Sequence, residues 1–182
     1  FDLLEIAEKI INGNKFVRFM IISSFTPDGY AQSIKGRIKS LFKLPLDPVD
    51  KFSRIIKSKN LEKYFIITGQ RYDIAELAIS SNIILFLSKR PEGFGRPLIE
   101  AMAAGVPVVA TDIGPSREIL GKDTALFAHE GDWRNLARNI NKLIQSEKTR
   151  HMLGENGKKR AELFDIQIAC NDISKIYESL IP

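Results

Sequence analysis

The stretch Pro91-Glu92-Gly93-Phe94-Gly95-Arg96-Pro97-Leu98-Ile99-Glu100-Ala101-Met102-Ala103-Ala104-Gly105-Val106-Pro107-Val108-Val109-Ala110-Thr111-Asp112 decides the fold. Gly93 and Gly95 permit φ > 0 and leave the main chain bare, so a ligand can approach the backbone N–H groups closely. Pro97 suits the first position of a helix, where a missing N–H costs nothing. A helix over 97–104 then points its positive end at the glycine loop, a ready place for phosphate. Ala101, Ala103 and Ala104 let that helix lie close on a sheet. Gly105 ends it, and Val106 to Ala110 re-enters the core as a strand covered on both faces.

The same alternation extends in both directions. Short, nearly continuous apolar runs at Val17–Ile22, Tyr64–Thr68, Ile83–Leu87, Val106–Ala110 and Ala125–Phe127 predict buried strands. Helical spacing predicts helices over about 2–12, 31–42, 49–58, 73–80, 97–104, 115–120 and 132–145, with two more, 147–163 and 166–180, closing the chain. Strands alternating with helices predict an α/β fold, a doubly wound parallel sheet with helices on both faces, as one domain over residues 1–182.

Composition narrows the class further. With 182 residues, 44% of them apolar and 27% charged, the chain is long enough for one sizeable core and too apolar for disorder. No apolar run reaches the roughly 18 residues that a membrane-spanning helix needs. The single Cys170 and the separated His129 and His151 assemble neither a disulfide framework nor a tetrahedral zinc site. No export signal opens the sequence, which predicts a reducing cytoplasm. The first residue is Phe1 rather than Met, and the expectation is a piece of something longer.

The net charge of +5 is concentrated. Residues 33–63 hold nine Lys and Arg against three Asp and Glu, and the rest is close to neutral. Within them Ile34, Ile38, Leu41 and Phe42 share one helical face, with Lys35, Arg37, Lys39 and Lys43 elsewhere. Two readings stand for this basic amphipathic helix: contact at a membrane periphery or with an acidic partner, and a surface helix whose apolar stripe packs on its own domain. No nucleic-acid partner is expected, because the basic character belongs to one segment. A third hypothesis, a basic nucleic-acid or membrane module, rests on that segment alone.

In an open α/β sheet the ligand lies beyond the carboxyl ends of the strands. The loops there are Ser23–Asp28, Gly69–Tyr72, Ser88–Arg96, Thr111–Ser116 and Ala128–Asp132. Glu92 and Glu100 are the two carboxylates of the glycine segment. Ionised carboxylates accept from paired hydroxyls of a sugar or a ribose; equally, Glu100 reads as a helix-dipole partner and Glu92 as a solvated loop residue. No phosphate-binding P-loop appears, and Gly93-x-Gly95 lacks the third glycine of a dinucleotide fingerprint.

Glu92 and Glu100, set in Glu-Gly-Phe-Gly and followed by Glu-Ala-Met-Ala-Ala-Gly-Val-Pro-Val-Val-Ala-Thr-Asp, resemble the signature of the family 4 (group 1) retaining glycosyltransferases. The likeness continues through Gly114-Pro115-Ser116-Arg117-Glu118-Ile119 and covers about residues 64–180. It implies the C-terminal, Rossmann-like, donor-binding half of a GT-B architecture, with the acceptor held by an N-terminal domain not present here. By this resemblance Glu92 contacts the transferred sugar beside the reacting carbon as the catalytic residue, and Glu100 binds the ribose. Backbone N–H groups around Gly93, Phe94, Gly95, Arg96 and Leu98 face the diphosphate, and Gly69 to Arg71 border the base. The implied reaction moves a sugar, of hexosyl type, from a nucleotide-diphosphate donor to a glycan or lipid-linked acceptor, as in polysaccharide biosynthesis. Neither a cofactor nor an obligatory metal is implied, and the place is the cytoplasm or the inner face of its membrane.

Departures from the family pattern set further expectations. Arg96 stands where the family more often has an apolar residue, and its side chain either adds charge at the diphosphate or points to solvent. The family's basic pair and the first strand would precede residue 2, so the fragment is expected to be impaired alone. The last helix, 166–180, resembles the one that crosses back to the N-terminal domain, with Phe164-Asp165-Ile166 in place of the family Trp. Trp133 reads as a packing residue, and His129 as a solvated or satisfied histidine. A protein of the same fold that binds nucleotide-sugars without transfer, an epimerase or a sensor, is the alternative within the family likeness.

Overall fold

The computed structural model describes residues 2–22, 48–90 and 93–180. The chain divides into two compact units, Leu3–Ile74 and Ala75–Pro182. The expected helix over 31–42, Glu92 and the loop Ser23–Asp28 lie outside the described residues.

In the first unit, helix α1 (Asp2–Gly13) buries Leu4, Ile6, Ala7, Ile10 and Ile11, the face that the three- and four-residue spacing marks out. Strand β1 (Phe19–Ile22) pairs in parallel with β2 (Phe65–Gly69), Phe19 opposite Phe65, with a register shift between Ile21 and Ile22. Phe19 and Phe65 stack with ring centroids 5.3 Å apart, and Phe52 of α2 (Pro48–Ser58) meets Phe65 edge-on, also at 5.3 Å. Such aromatic pairs add about 0.5–1.5 kcal/mol beyond the area they bury. An ion pair of 2.6 Å joins Lys59, just after α2, to Glu8 of α1.

The second unit begins in α3 (Ile74–Ile79) and holds a three-stranded parallel sheet in the order β3 (Ile84–Phe86), β4 (Val108–Thr111), β5 (Ala125–Ala128). β4 is central, with Ile84 opposite Val108 on one side and Val108 opposite Ala125 on the other. All four of its residues are buried, as an apolar run between two sheet faces should be. Around it lie α4 (Arg96–Ala103), α5 (Ser116–Leu120), α6 (Trp133–Gln145), α7 (Glu147–Ala161) and α8 (Ile166–Leu180). Leu98, Ala101 and Met102 of α4 close the core with Val108, Ala110, Ile119, Leu120 and Ala125. Each large aliphatic side chain buried there is worth roughly 1.5–3 kcal/mol.

The architecture is α/β and Rossmann-like, with parallel sheets and flanking helices. Several expected boundaries move by one or two residues, the start of β1 from Val17 to Phe19 among them, and two of the shifts have a clear local reason. The strand expected from Val106 begins at Val108, because Val106 N–H donates to Ala101 O at 3.1 Å and Gly105 N–H to Met102 O at 2.9 Å. Those bonds, with Gly105 at φ 71°, close α4 in a Schellman motif and draw Val106 out of the sheet. The helix expected over 147–163 stops at Ala161 and tightens into a 3₁₀ turn, Glu162–Phe164, which turns the chain into α8. Among the described residues, no helix is long and apolar enough to cross a membrane.

Candidate functional site

The carboxyl ends of β3, β4 and β5 bring three loops together within the second unit. Their floor is tied by buried hydroxyls. Thr111 Oγ1, at the end of β4, donates to Ser88 O at 2.7 Å and so fixes the loop that leaves β3. Ser116 Oγ donates to Thr111 O at 2.9 Å and accepts from Ile113 N–H at 3.1 Å, which folds the turn into α5. Both residues are almost fully buried, and a buried hydroxyl is stable only when it is partnered in this way.

Above that floor stands the glycine segment. Gly95 is left-handed (φ 69°, ψ 40°) at the N-terminus of α4, and a Cβ there would come to 3.2 Å from both Ile119 Cδ1 and Leu98 Cδ1. A side chain is therefore disfavoured twice, by conformation and by space. At Gly93 a Cβ would meet nothing within 4 Å, so packing alone does not demand glycine there as it does at Gly95. The helix starts one residue before Pro97, at Arg96, and among the described residues no side chain caps its N-terminus. Leu98 N–H donates to Gly95 O at 2.9 Å in the first turn. Leu98 is buried beneath, and Phe94 is exposed at the rim.

Glu100 faces outward from the second turn of α4, and its Oε1 lies 3.6 Å from the Arg96 guanidinium. Arg96 thus takes neither of its two expected positions alone: its side chain is exposed, and its charge is directed at Glu100. The sequence-expected Gly93, Phe94, Gly95, Arg96, Leu98 and Glu100 all lie on this one segment. Gly69 and Arg71 belong to the first unit. There Gly69 ends β2 with φ 73°, and Arg71 Nε donates to Asp73 Oδ1 at 2.8 Å in a two-pronged pair that holds the Asp73 carboxyl below its ordinary range.

A second charged cluster, at the ends of β4 and β5, escaped sequence reasoning. Arg117 on α5 donates from Nε to Asp112 Oδ1 at 2.9 Å and from its terminal nitrogen to the other carboxylate oxygen. The same guanidinium sits 4.5 Å above the Phe127 ring. These hydrogen bonds lower the Asp112 pKa, against some desolvation. Asp132 is lowered as well, chiefly by the Asn135 N–H that it caps at 3.0 Å. His129 is exposed between these two carboxylates' fields, and Trp133 opens α6 half-buried. The signal available in the sequence was Asp112-x4-Arg117, a spacing that spans the turn from a strand end into a helix.

The family model described as "Glycosyl transferases group 1" matches residues 47–160. A capsular polysaccharide biosynthesis glycosyltransferase of Staphylococcus aureus, CapM, is 35% identical over 102 residues, 55% of this chain and 27% of that protein. An uncharacterized glycosyltransferase of Methanocaldococcus jannaschii is 28% identical over 167 residues, 88% of this chain and 48% of that one. The crystal structure of Anabaena HepE in complex with UDP superposes with a TM-score of 0.72 at 22% identity, covering 96% of this chain and 52% of that one. The chain spans about half the length, or less, of these relatives.

Proposed function

Since the chain belongs to the group 1 glycosyltransferases, we propose that it supplies the nucleotide-sugar donor site of a transferase that moves a hexosyl group with retention to a glycan or lipid-linked acceptor. The observation that carries this reading is the α4 N-terminus: capped by no side chain among the described residues, preceded by left-handed Gly95, with Glu100 one turn further on. Backbone N–H groups at the positive end of a helix suit a diphosphate. A carboxylate that accepts only suits the two hydroxyls of a ribose.

On this reading the bond between the anomeric carbon and the diphosphate oxygen breaks, and a bond from the acceptor oxygen forms on the same face. The acceptor's proton passes to the departing phosphate oxygen. The α4 amides stabilise the charge that grows on that phosphate, which is the term preorganised dipoles serve best. Glu92 would stand beside the reacting carbon and hold hydroxyls of the sugar. UDP occupies the HepE structure, which supports a nucleoside diphosphate as the ligand class here.

Calorimetric titration with UDP, GDP and ADP tests the reading. One of them should bind, and Glu100→Ala should weaken it by roughly 10–100-fold, the worth of charge-assisted bonds to two hydroxyls. Binding that is indifferent to Glu100, or none by any of the three, overturns it.

A further inference from the structure

We infer that Arg96 is a positioning residue that makes this donor site select for diphosphate-bearing ligands, by holding Glu100 until a diphosphate draws it away. The inference rests on the donor-site reading above and adds a device to it. Arg96 is the first residue of α4 and lies one turn before Glu100, on the same side of the helix. Its guanidinium is 3.6 Å from Glu100 Oε1, and the two side chains are 81% and 44% exposed. Those exposures decide the argument. A pair so open to water is weak and separates at small cost, yet while it stands the guanidinium crowds the Oε1 side of Glu100.

Consider the two halves of a nucleotide ligand in turn. Ribose hydroxyls that take both oxygens of Glu100 compete with the guanidinium at Oε1. A diphosphate at the α4 N-terminus offers Arg96 a replacement: a guanidinium matches phosphate oxygens with two parallel hydrogen bonds, at least as well as it matches one carboxylate. A ligand with both halves exchanges one Arg96 partner for a better one and frees Glu100 for the ribose. A nucleoside without phosphates meets the same competition at Oε1 and offers the guanidinium no replacement. The residue therefore widens the gap between nucleoside diphosphate and nucleoside beyond what the backbone amides alone provide. An apolar residue at this position leaves Glu100 unmasked and lacks that second term.

The test is calorimetry on the wild type, Arg96→Met, Arg96→Lys, Glu100→Gln and the Arg96→Met/Glu100→Gln pair, with UDP, GDP and ADP beside uridine, guanosine and adenosine. For the base that binds, Arg96→Met should weaken the diphosphate about 10-fold, the worth of a charge-assisted bond. It should tighten the nucleoside about 2-fold, the worth of an exposed ion pair. Arg96→Lys keeps the charge without the two-pronged fork and should restore only part of the diphosphate affinity, and in the Glu100→Gln background the gain for the nucleoside should vanish. Equal weakening of both ligands, or a nucleoside unaffected by Arg96→Met, overturns the inference and leaves the donor site standing. If the wild type binds none of the three diphosphates, the donor site and this inference fall together.

Discussion

Helices α7 and α8 follow one another, and their sequences promise the reverse of what they do. α7 (Glu147–Ala161) is mostly polar, carries Gly154 and Gly157 in its interior, and shows little apolar periodicity. Each internal glycine costs a helix about 1 kcal/mol relative to alanine. Yet Leu153, Gly154 and Gly157 are buried, and the helix packs against α4, the helix that carries Arg96 and Glu100. α8 (Ile166–Leu180) has an unbroken stripe of Ile166, Ala169, Cys170, Ile173, Ile176 and Leu180 at helical spacing, and none of its residues is buried. Amphipathicity states that a helix has a face to cover. Glycines in a helix state how closely something else must come.

The largest effects should fall on α7. Leu153 is 5% exposed, and Leu153→Ala should cost about 2–4 kcal/mol through the cavity it leaves, measured by urea denaturation. Gly154→Ala should cost about 1–3 kcal/mol, because a Cβ there runs into the Gly105 carbonyl oxygen, which is backbone and cannot swing aside. Gly157→Ala sharpens the point: its Cβ would come no nearer than 3.4 Å, to Met102 Cα, so it should be close to neutral and gain from helix propensity. If both glycine variants behave alike, close approach is not what these residues provide. Gly154→Ala should also weaken nucleotide binding, since Gly105 closes α4.

A smaller effect tests how α7 braces α5. Arg160, near the end of α7, donates to Ile119 O and Glu118 O, both at 2.5 Å, and so satisfies the last carbonyls of α5. Its guanidinium lies beside Gly121, whose positive φ leaves the space. Arg160→Met should cost about 1.5–3 kcal/mol, the range for hydrogen bonds made by a charged group.

The acid response should register at α5. Arg117 on α5 holds the Asp112 carboxyl below its ordinary range by hydrogen bonding. A depressed folded-state pKa adds stability that is fully present above the unfolded value of about 4 and is lost as pH falls through the folded value. Stability should therefore be flat from neutrality to about pH 5 and decline below it. Arg117→Met should flatten the part of that decline owed to Asp112, visible in the Asp112 carboxyl titration. An unchanged titration would show that the pair does not form in solution.

The contrast between the two helices also explains what was legible beforehand. The five strands can be read from apolar runs such as Val108 to Ala110, but burial on both faces holds throughout only for β4; Met20, Ile22 and Ile66 of β1 and β2 are exposed. The segment from Gly93 to Glu100 could be read because loop, helix start and carboxylate are contiguous in sequence. What escaped depended on partners distant along the chain. Nothing near Gly154 says that Gly105 lies against it, and nothing near Arg160 says that Ile119 needs a donor. The Arg96–Glu100 pair, at i and i+4, is short-range enough to be legible in the sequence. β4 starts two residues later than its apolar run because closing α4 claims Val106 first.

The smallest effect is the sharpest check on α8. Ile173 and Ile176 are more than half exposed, so Ile173→Ser and Ile176→Ser remove little buried area and should change stability by no more than about 0.5 kcal/mol each. Serine has a helix propensity near that of isoleucine, which keeps the backbone term from confusing the result. The same exchange at Ile140 of α6, 3% exposed, places a hydroxyl in the core and should be severe. Measured side by side, the two helices should differ by several-fold in their response to one chemical change. Should Ile176→Ser prove as costly as Ile140→Ser, the stripe on α8 is covered in solution, and the contrast with α7 narrows to one of partners rather than of burial.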